Sequence, residues 1–250
     1  MSAAAWPLGL AGFGAIFGSF IAALVVRWPQ GRSVLRGRSA CDACGRTLGP
    51  GELVPVMSHL LQSGRCRACG ARIDPQHLGI ELAGVAIGAI AGWVAPGWEG
   101  VAGAVFGWLL LALAALDVAA FWLPDRLTAT LALAGLASGA AGLAPDLDDR
   151  VIGGLVGYGA LAGIAWGYRA WRGREGMGGG DPKLMGAIGL WLGWRLLPAV
   201  LVIASLIGLG LALLGAVTGR GVGRDTAFPF GALLGLAAFA GWIAMIASGL

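Results

Sequence analysis

Apolar stretches of about 20 residues recur along the chain, and a run of that length is what an α-helix needs to cross a bilayer core. The pattern predicts spans near residues 5–27, 79–95, 99–117, 126–144, 151–170, 182–197, 198–218 and 227–249. Arg195 and Pro198 fall where the sixth meets the seventh. That junction reads either as a tight turn or as a kink within one helix, so the count is seven or eight. The first span has no basic region before it and is too long for a cleavable signal, so it reads as an anchor. From residue 29 to 78 the apolar pattern stops, and the segment is polar and rich in arginine. It is too short to build a core of its own and needs a staple. The expected fold is therefore all-α and polytopic: a first transmembrane helix (1–28), a small zinc-ribbon-like domain inserted after it (29–78), and a transmembrane core (79–250).

Composition agrees with the pattern. Hydrophobic residues make up 58% of the 250 and charged residues 12%, against about a quarter charged in soluble domains. The 46 glycines sit largely inside apolar runs, often four apart, as at Gly14/Gly18, Gly103/Gly107, Gly135/Gly139, Gly153/Gly157 and Gly231/Gly235. Small residues at that spacing let helices approach closely in lipid, and all these pairs are read as packing contacts.

Charge sets the orientation. With eight spans and the N-terminus outside, the inside loops hold Arg27, Arg32, Arg36, Arg38, Arg46, Arg65, Arg67, Arg72, Arg126, Arg169, Arg172, Arg174, Lys183, Arg220 and Arg224. Only Arg150 and Arg195 of the 17 basic residues remain outside. This positive-inside bias accounts for the net charge of +4 without a nucleic-acid partner.

The staple is written twice. Cys41-Asp42-Ala43-Cys44-Gly45 is echoed by Cys66-Arg67-Ala68-Cys69-Gly70. Two C-x-x-C-G knuckles with 21 residues between them have the spacing of a structural Zn²⁺ site closed by four thiolates. The loop faces the reducing cytoplasm, which weighs against disulfides; these and redox-active thiols are the alternatives. His59 and His77 lie nearby, and four cysteines need neither.

Carboxylates inside or against a span are costly and so point to function. Asp117 ends the run Leu109–Leu116. Asp181 follows the glycine-rich stretch Gly176–Gly180, which lets a substrate backbone lie close. Asp125, after Pro124, reads as a helix cap, and Asp181, before Pro182, can serve as one too. The topology places Asp117 and Asp181 on the same, cytoplasmic, side. Two converging carboxylates suggest an aspartyl dyad, in which one shared proton lets the pair activate water and polarise a scissile carbonyl. Both histidines lie in the cysteine loop and no H-E-x-x-H occurs, so serine-protease and metalloprotease chemistry lack their residues.

An ordered set of blocks carries a resemblance. It runs from Gly18-Ser19-Phe20 through the knuckles and Leu53-Val54-Pro55-Val56-Met57-Ser58 to Ile80-Glu81-Leu82. It continues with Leu116-Asp117, Leu123-Pro124-Asp125-Arg126-Leu127-Thr128, Gly178-Gly179-Gly180-Asp181-Pro182-Lys183-Leu184 and Phe228-Pro229-Phe230-Gly231. The chain resembles the bacterial type IV prepilin peptidases, which are G-x-G-D intramembrane aspartyl proteases of the inner membrane serving type IV pili and type II secretion. The resemblance implies that Asp117 and Asp181 are catalytic, with Gly178, Gly179, Gly180 and Lys183 in the active-site loop. It implies cleavage of the short basic leader of prepilins or pseudopilins after a glycine. It also implies N-methylation of the new terminus with S-adenosylmethionine; no glycine-rich Rossmann unit for that donor occurs, so this activity rests on the resemblance alone. The sequence departs from the pattern at His59 and at Gln76-His77-Leu78, all within the cysteine domain.

Three alternatives stand beside this reading, one of them a zinc-ribbon membrane scaffold without chemistry, in which Asp117 and Asp181 could be replaced by asparagine without loss. A transporter using intramembrane aspartates predicts acids near the bilayer midplane and inverted repeats, whereas here the acids fall at helix ends and no repeat is evident. A protease that does not methylate fits the same residues. Glu81, Asp125 and Glu175 are candidates for holding the leader's basic end.

Overall fold

Helices form wherever the apolar runs predict them, in a computed structural model that describes residues 5–34, 37–219 and 227–249. Arg36, Arg220 and Arg224 of the topological count lie outside the described residues. Among those described, the α-helices are α1 (Ala5–Arg27), α2 (Met57–Leu61), α3 (Pro75–Val94), α4 (Trp98–Ala120), α5 (Asp125–Ala140), α6 (Leu147–Arg172), α7 (Gly180–Leu192), α8 (Leu197–Val217) and α9 (Phe230–Ser248). No strand forms among the described residues, only single bridges at Ala40–Thr47 and Arg65–Arg72. Six helices, α1, α3, α4, α6, α8 and α9, are long and apolar enough to cross a membrane. At 16 and 13 residues, α5 and α7 are shorter.

Several expected boundaries move. Gly193, with φ 70 and ψ 178, ends α7, and Pro198 sits in the first turn of α8. The junction near Arg195 is thus a turn, not a kink. Helix α4 continues past Asp117 to Ala120, where Phe121 takes a left-handed conformation (φ 48) and the chain leaves toward Pro124. Pro124, not Asp125, occupies the N-cap of α5, and Gly179, not Asp181, that of α7. Both aspartates lie within the first turn instead, where the helix N-terminus still favours negative charge.

Two compact units make up the chain, Met1–Ala104 and Val105–Leu250. In the first, α1 and α3 run antiparallel and meet backbone to backbone. A Cβ on Gly18 would stand 2.8 Å from the Glu81 Cα, and one on Gly92 would stand 2.7 Å from the Pro7 nitrogen. Gly14 and Gly88 are equally enclosed, by Gly84 and Leu10. The expectation of small-residue packing holds here, extended to glycines of α3. The cysteine loop joins the two helices, and its Val56, held at φ 62, donates its N–H to Glu81 Oε2 at 2.7 Å.

In the second unit α7 is the central element, with ten of its 13 residues buried. It packs on α6, α5 and α9, while α8 covers α9. Glycines bring α6 against it: a Cβ on Gly157 would meet the Met185 carbonyl at 2.7 Å. Trp191 fixes the far side, donating to the Leu131 carbonyl at 2.7 Å and stacking on Phe106 at 4.8 Å.

Arg150 is 1% exposed and sits in the first turns of α6. Its Nε donates to Pro145 O, its Nη1 to Gly135 O, Ser138 Oγ and Leu190 O, and its Nη2 to Leu143 O and Ala144 O, all at 2.7–3.1 Å. Gly139 makes the room, since a Cβ there would lie 2.6 Å from Arg150 Cδ. Arg150, one of the two basic residues that the charge pattern assigns to the outside, is a buried tie among α5, α6 and α7. Its acceptors are backbone carbonyls, which the sequence does not mark.

Candidate functional site

Leu116 and Asp117 lie on the buried face of α4, and the Asp117 side chain is withdrawn from solvent although its helix has three residues still to run. What receives it is the start of α9. The first N–H groups of a helix have no partner within it, and Ala232 donates its N–H to Asp117 Oδ2 at 2.9 Å. Gly231 backs directly onto the carboxylate, where a Cβ would stand 3.0 Å from Oδ2 and 2.9 Å from Leu123 Cδ1. Its four-residue spacing to Gly235 speaks only of packing. Its place in Phe228-Pro229-Phe230-Gly231 is the better signal, since Pro229 marks a helix start and a helix start offers anion-binding N–H groups.

Asp181 stands in the first turn of α7, 6% exposed, like Asp117. The stretch before it winds tightly around it: the Asp181 N–H donates to Gly178 O at 3.2 Å, and a Cβ on Gly178 would touch Asp181 Oδ2 at 3.4 Å. Gly180 lies against Leu123, where a Cβ would come within 2.8 Å. The two aspartates are electrostatic neighbours, each buried at a helix N-terminus. Among the described residues neither has an ion pair. Two carboxyl groups so placed cannot both ionise without strong repulsion, and a proton held between them relieves it.

The other predicted positions are distributed more widely. Lys183, next along α7, reaches Asp125 Oδ1 at 2.7 Å, and both side chains are solvent-accessible. Glu175 forms an exposed pair with Arg169 at 3.5 Å. Glu81, in the first unit, is buried and engaged by the Val56 N–H.

The four cysteines converge. Their Sγ atoms all lie within 4.8 Å of one another, with Cys41 and Cys69 at 3.9 Å, and none is in a disulfide. The two knuckles are built alike. Gly45 and Gly70 both take φ 70 and return their N–H groups to Cys41 O and Cys66 O at 2.8 and 2.9 Å. Backbone N–H groups of Cys69 and Ala68 turn toward Cys66 and pull its thiol down to about 6. Four sulfurs at this range with N–H donors around them fit a tetrahedral metal ion, whose thiolate ligands would stand about 3.8 Å apart. The four cysteines can bind a metal.

Comparison with known proteins bears on most of the chain. Residues 13–95 match the bacterial peptidase A24 N-terminal domain, and residues 104–213 match the type IV leader peptidase family. A prepilin leader peptidase/N-methyltransferase of Aeromonas hydrophila is 39% identical over 210 residues, covering 84% of this chain and 71% of the relative. Proteins of the same description from Pseudomonas aeruginosa and Burkholderia pseudomallei are 36% and 42% identical, over 83% and 79% of this chain and 71% and 64% of theirs. No solved structure matches the chain. With both halves matched in order, and with a buried acid pair and a four-cysteine cluster to set beside the match, the chain belongs to the type IV leader peptidase family.

Proposed function

We propose that this chain is an aspartyl endopeptidase of the bacterial inner membrane that removes the basic leader of prepilins or pseudopilins after a glycine and N-methylates the new terminus. The observation that carries the peptidase reading is the pair of buried carboxylates, Asp117 and Asp181, each at a helix N-terminus and without an ion pair among the described residues. The dyad holds one proton. Its ionised member takes a proton from water as the water attacks the scissile carbonyl. Its protonated member hydrogen-bonds the oxygen as it becomes tetrahedral. The Ala232 N–H keeps Asp117 in place, and the glycine loop Gly178–Gly180 leaves the approach to Asp181 open to a peptide backbone. Lys183, paired with Asp125, follows the loop in the first turn of α7.

Counting α5 and α7 as short crossings gives eight spans. The N-terminus then lies outside, and the cysteine module and the dyad face the cytoplasm. The four cysteines hold Zn²⁺, which ties the two knuckles together and leaves no position open for water. S-adenosylmethionine supplies the methyl group, a role that rests on the family. Asp125, Glu175 and Glu81 are the candidate contacts for the leader's basic end.

The test is co-expression of a prepilin with the intact chain, Asp117→Asn or Asp181→Asn, with product N-termini read by mass spectrometry. Cleavage after the leader glycine only when both aspartates are present is expected, with the mass of one methyl group added. Equal cleavage by either variant would sink the dyad.

A further inference from the structure

The cysteine module carries a second feature that neither the dyad nor the metal accounts for. Where α1 ends at Arg27, residues Trp28–Gln30 make a single 3₁₀ turn closed by Gly31 at φ 69, and the chain folds back beside the first knuckle. Between them lies a cavity of about 480 Å³ lined by Arg27, Arg32, Ser33, Arg38, Cys41 and Asp42, among others. Three guanidinium groups therefore face one carboxylate and the sulfur of Cys41, which the metal site claims. That carboxylate, on Asp42, is only loosely shared with Arg32 at 3.5 Å, both side chains being well exposed. Among the described residues neither Arg27 nor Arg38 has an ion pair. A cavity with this excess of cations is built to take an anion.

The position of the cavity narrows the class of anion. Arg27 is the last residue of a membrane-spanning helix, so its guanidinium stands at the level of lipid headgroups. Planar guanidinium forks bind phosphate oxygens two at a time, which a compact ammonium does not. The volume admits a phosphate with its glycerol. The basic leader of a prepilin carries the wrong charge for it. So does S-adenosylmethionine, whose sulfonium and ammonium outnumber its carboxylate.

We propose that this cavity binds the phosphate headgroup of an anionic phospholipid and thereby seats the first cysteine knuckle on the membrane surface. The lipid acts as a tether: its phosphate neutralises Arg27 and Arg38 while its acyl chains remain in the bilayer beside α1. The proposal depends on α1 crossing the membrane and not on the dyad.

The probe is phosphatidylglycerol set against phosphatidylcholine, each titrated into the purified, metal-loaded full chain in detergent and counted by native mass spectrometry. Phosphatidylglycerol is expected to bind preferentially, and Arg27→Gln with Arg38→Gln to lower its affinity by about fivefold for each arginine removed. The pair Arg67→Gln and Arg72→Gln, which removes the same charge from the second knuckle, is expected to leave that affinity unchanged. Metal content read in the same spectra reports whether each variant is folded, and Arg38→Gln alone serves if the double variant is not. Equal loss from both pairs would reduce the effect to general basicity and overturn the site. Phosphatidylcholine binding as tightly would overturn the anion. Competition by inorganic phosphate as effective as the lipid's, or displacement by S-adenosylmethionine, would give the cavity to a soluble ligand.

Discussion

Leu190, whose carbonyl takes a bond from Arg150, and Asp181 lie nine residues apart on α7, about 14 Å along its axis. Each place has buried charge, and the chain treats the two differently. At the Leu190 end Arg150 spends all its donors on neutral oxygens from three stretches of chain, and nothing is left over. At the Asp181 end two buried acids are electrostatic neighbours that meet backbone N–H groups and glycine, with no ion pair among the described residues. Saturation makes a charge into a structural tie, because every bond must break before it can move. An unsaturated acid pair keeps lone pairs and a proton to exchange. The same helix is thus anchored where its partners are complete and, on the proposed function, reactive where they are not.

The contrast can be broken most sharply at the reactive end. Asp117→Asn and Asp181→Asn are each expected to lower cleavage by about 10²–10⁴-fold or more, and the double variant hardly further, since the pair acts as a unit. Melting temperature in detergent should not fall in either. Next in size is Arg150→Met, which takes the guanidinium bonds away from five carbonyls and a hydroxyl. A destabilisation of about 3 kcal/mol or more is expected, read by thermal unfolding, with cleavage per folded molecule unchanged; Arg150→Lys should not restore stability, for an ammonium cannot reach six acceptors. Loss of turnover in a stable Arg150 variant would erase the distinction between the two ends. Gly231→Ala is smaller and mixes the two effects: the added methyl presses on Asp117 Oδ2 and Leu123. Cleavage should fall by about tenfold to a hundredfold, with a stability loss of only about 1 kcal/mol.

The smallest effect lies outside the membrane, at Glu52. The Gly49 N–H, then Arg46, hold its carboxyl below the usual carboxylate range. A carboxylate with a depressed folded value stabilises above its unfolded pKa, and the contribution is lost as pH falls through the folded value. Hydrogen exchange across residues 46–52 should therefore separate wild type from Glu52→Gln at neutral pH. The difference should begin to shrink as pH falls below the ordinary glutamate value and vanish once it passes the depressed folded one.

How much of this the sequence discloses depends on whether the relevant chemistry sits in side chains or in the backbone. The cysteine knuckles, the acids beside glycine and the apolar spans are all matters of residue type and spacing, and each can be read directly. Arg150 cannot, since the carbonyls of Leu143, Ala144 and Leu190 look like any others until the chain is folded around them. Nor can the pairing of Lys183 with Asp125, which joins residues 58 positions apart. Gly231 is visible as a small residue four from Gly235, but that spacing speaks of helix contact and not of a carboxylate behind it. Glu81 stands out as an acid near a span, yet its bond to Val56 depends on a left-handed turn at a β-branched residue, which local preference argues against.

The brevity of α7 has a further consequence. Thirteen residues of helix reach about 20 Å, whereas the hydrocarbon layer is about 30 Å deep. A helix that ends early obliges the lipid beside it to thin or the solvent to follow it inward. Hydrolysis consumes water, and hydrocarbon holds almost none. On the proposed eight-span topology, stopping short would draw the aqueous phase down to the acids, and a peptide substrate would meet water there. Lipids with longer acyl chains would then slow the reaction without altering a single side chain.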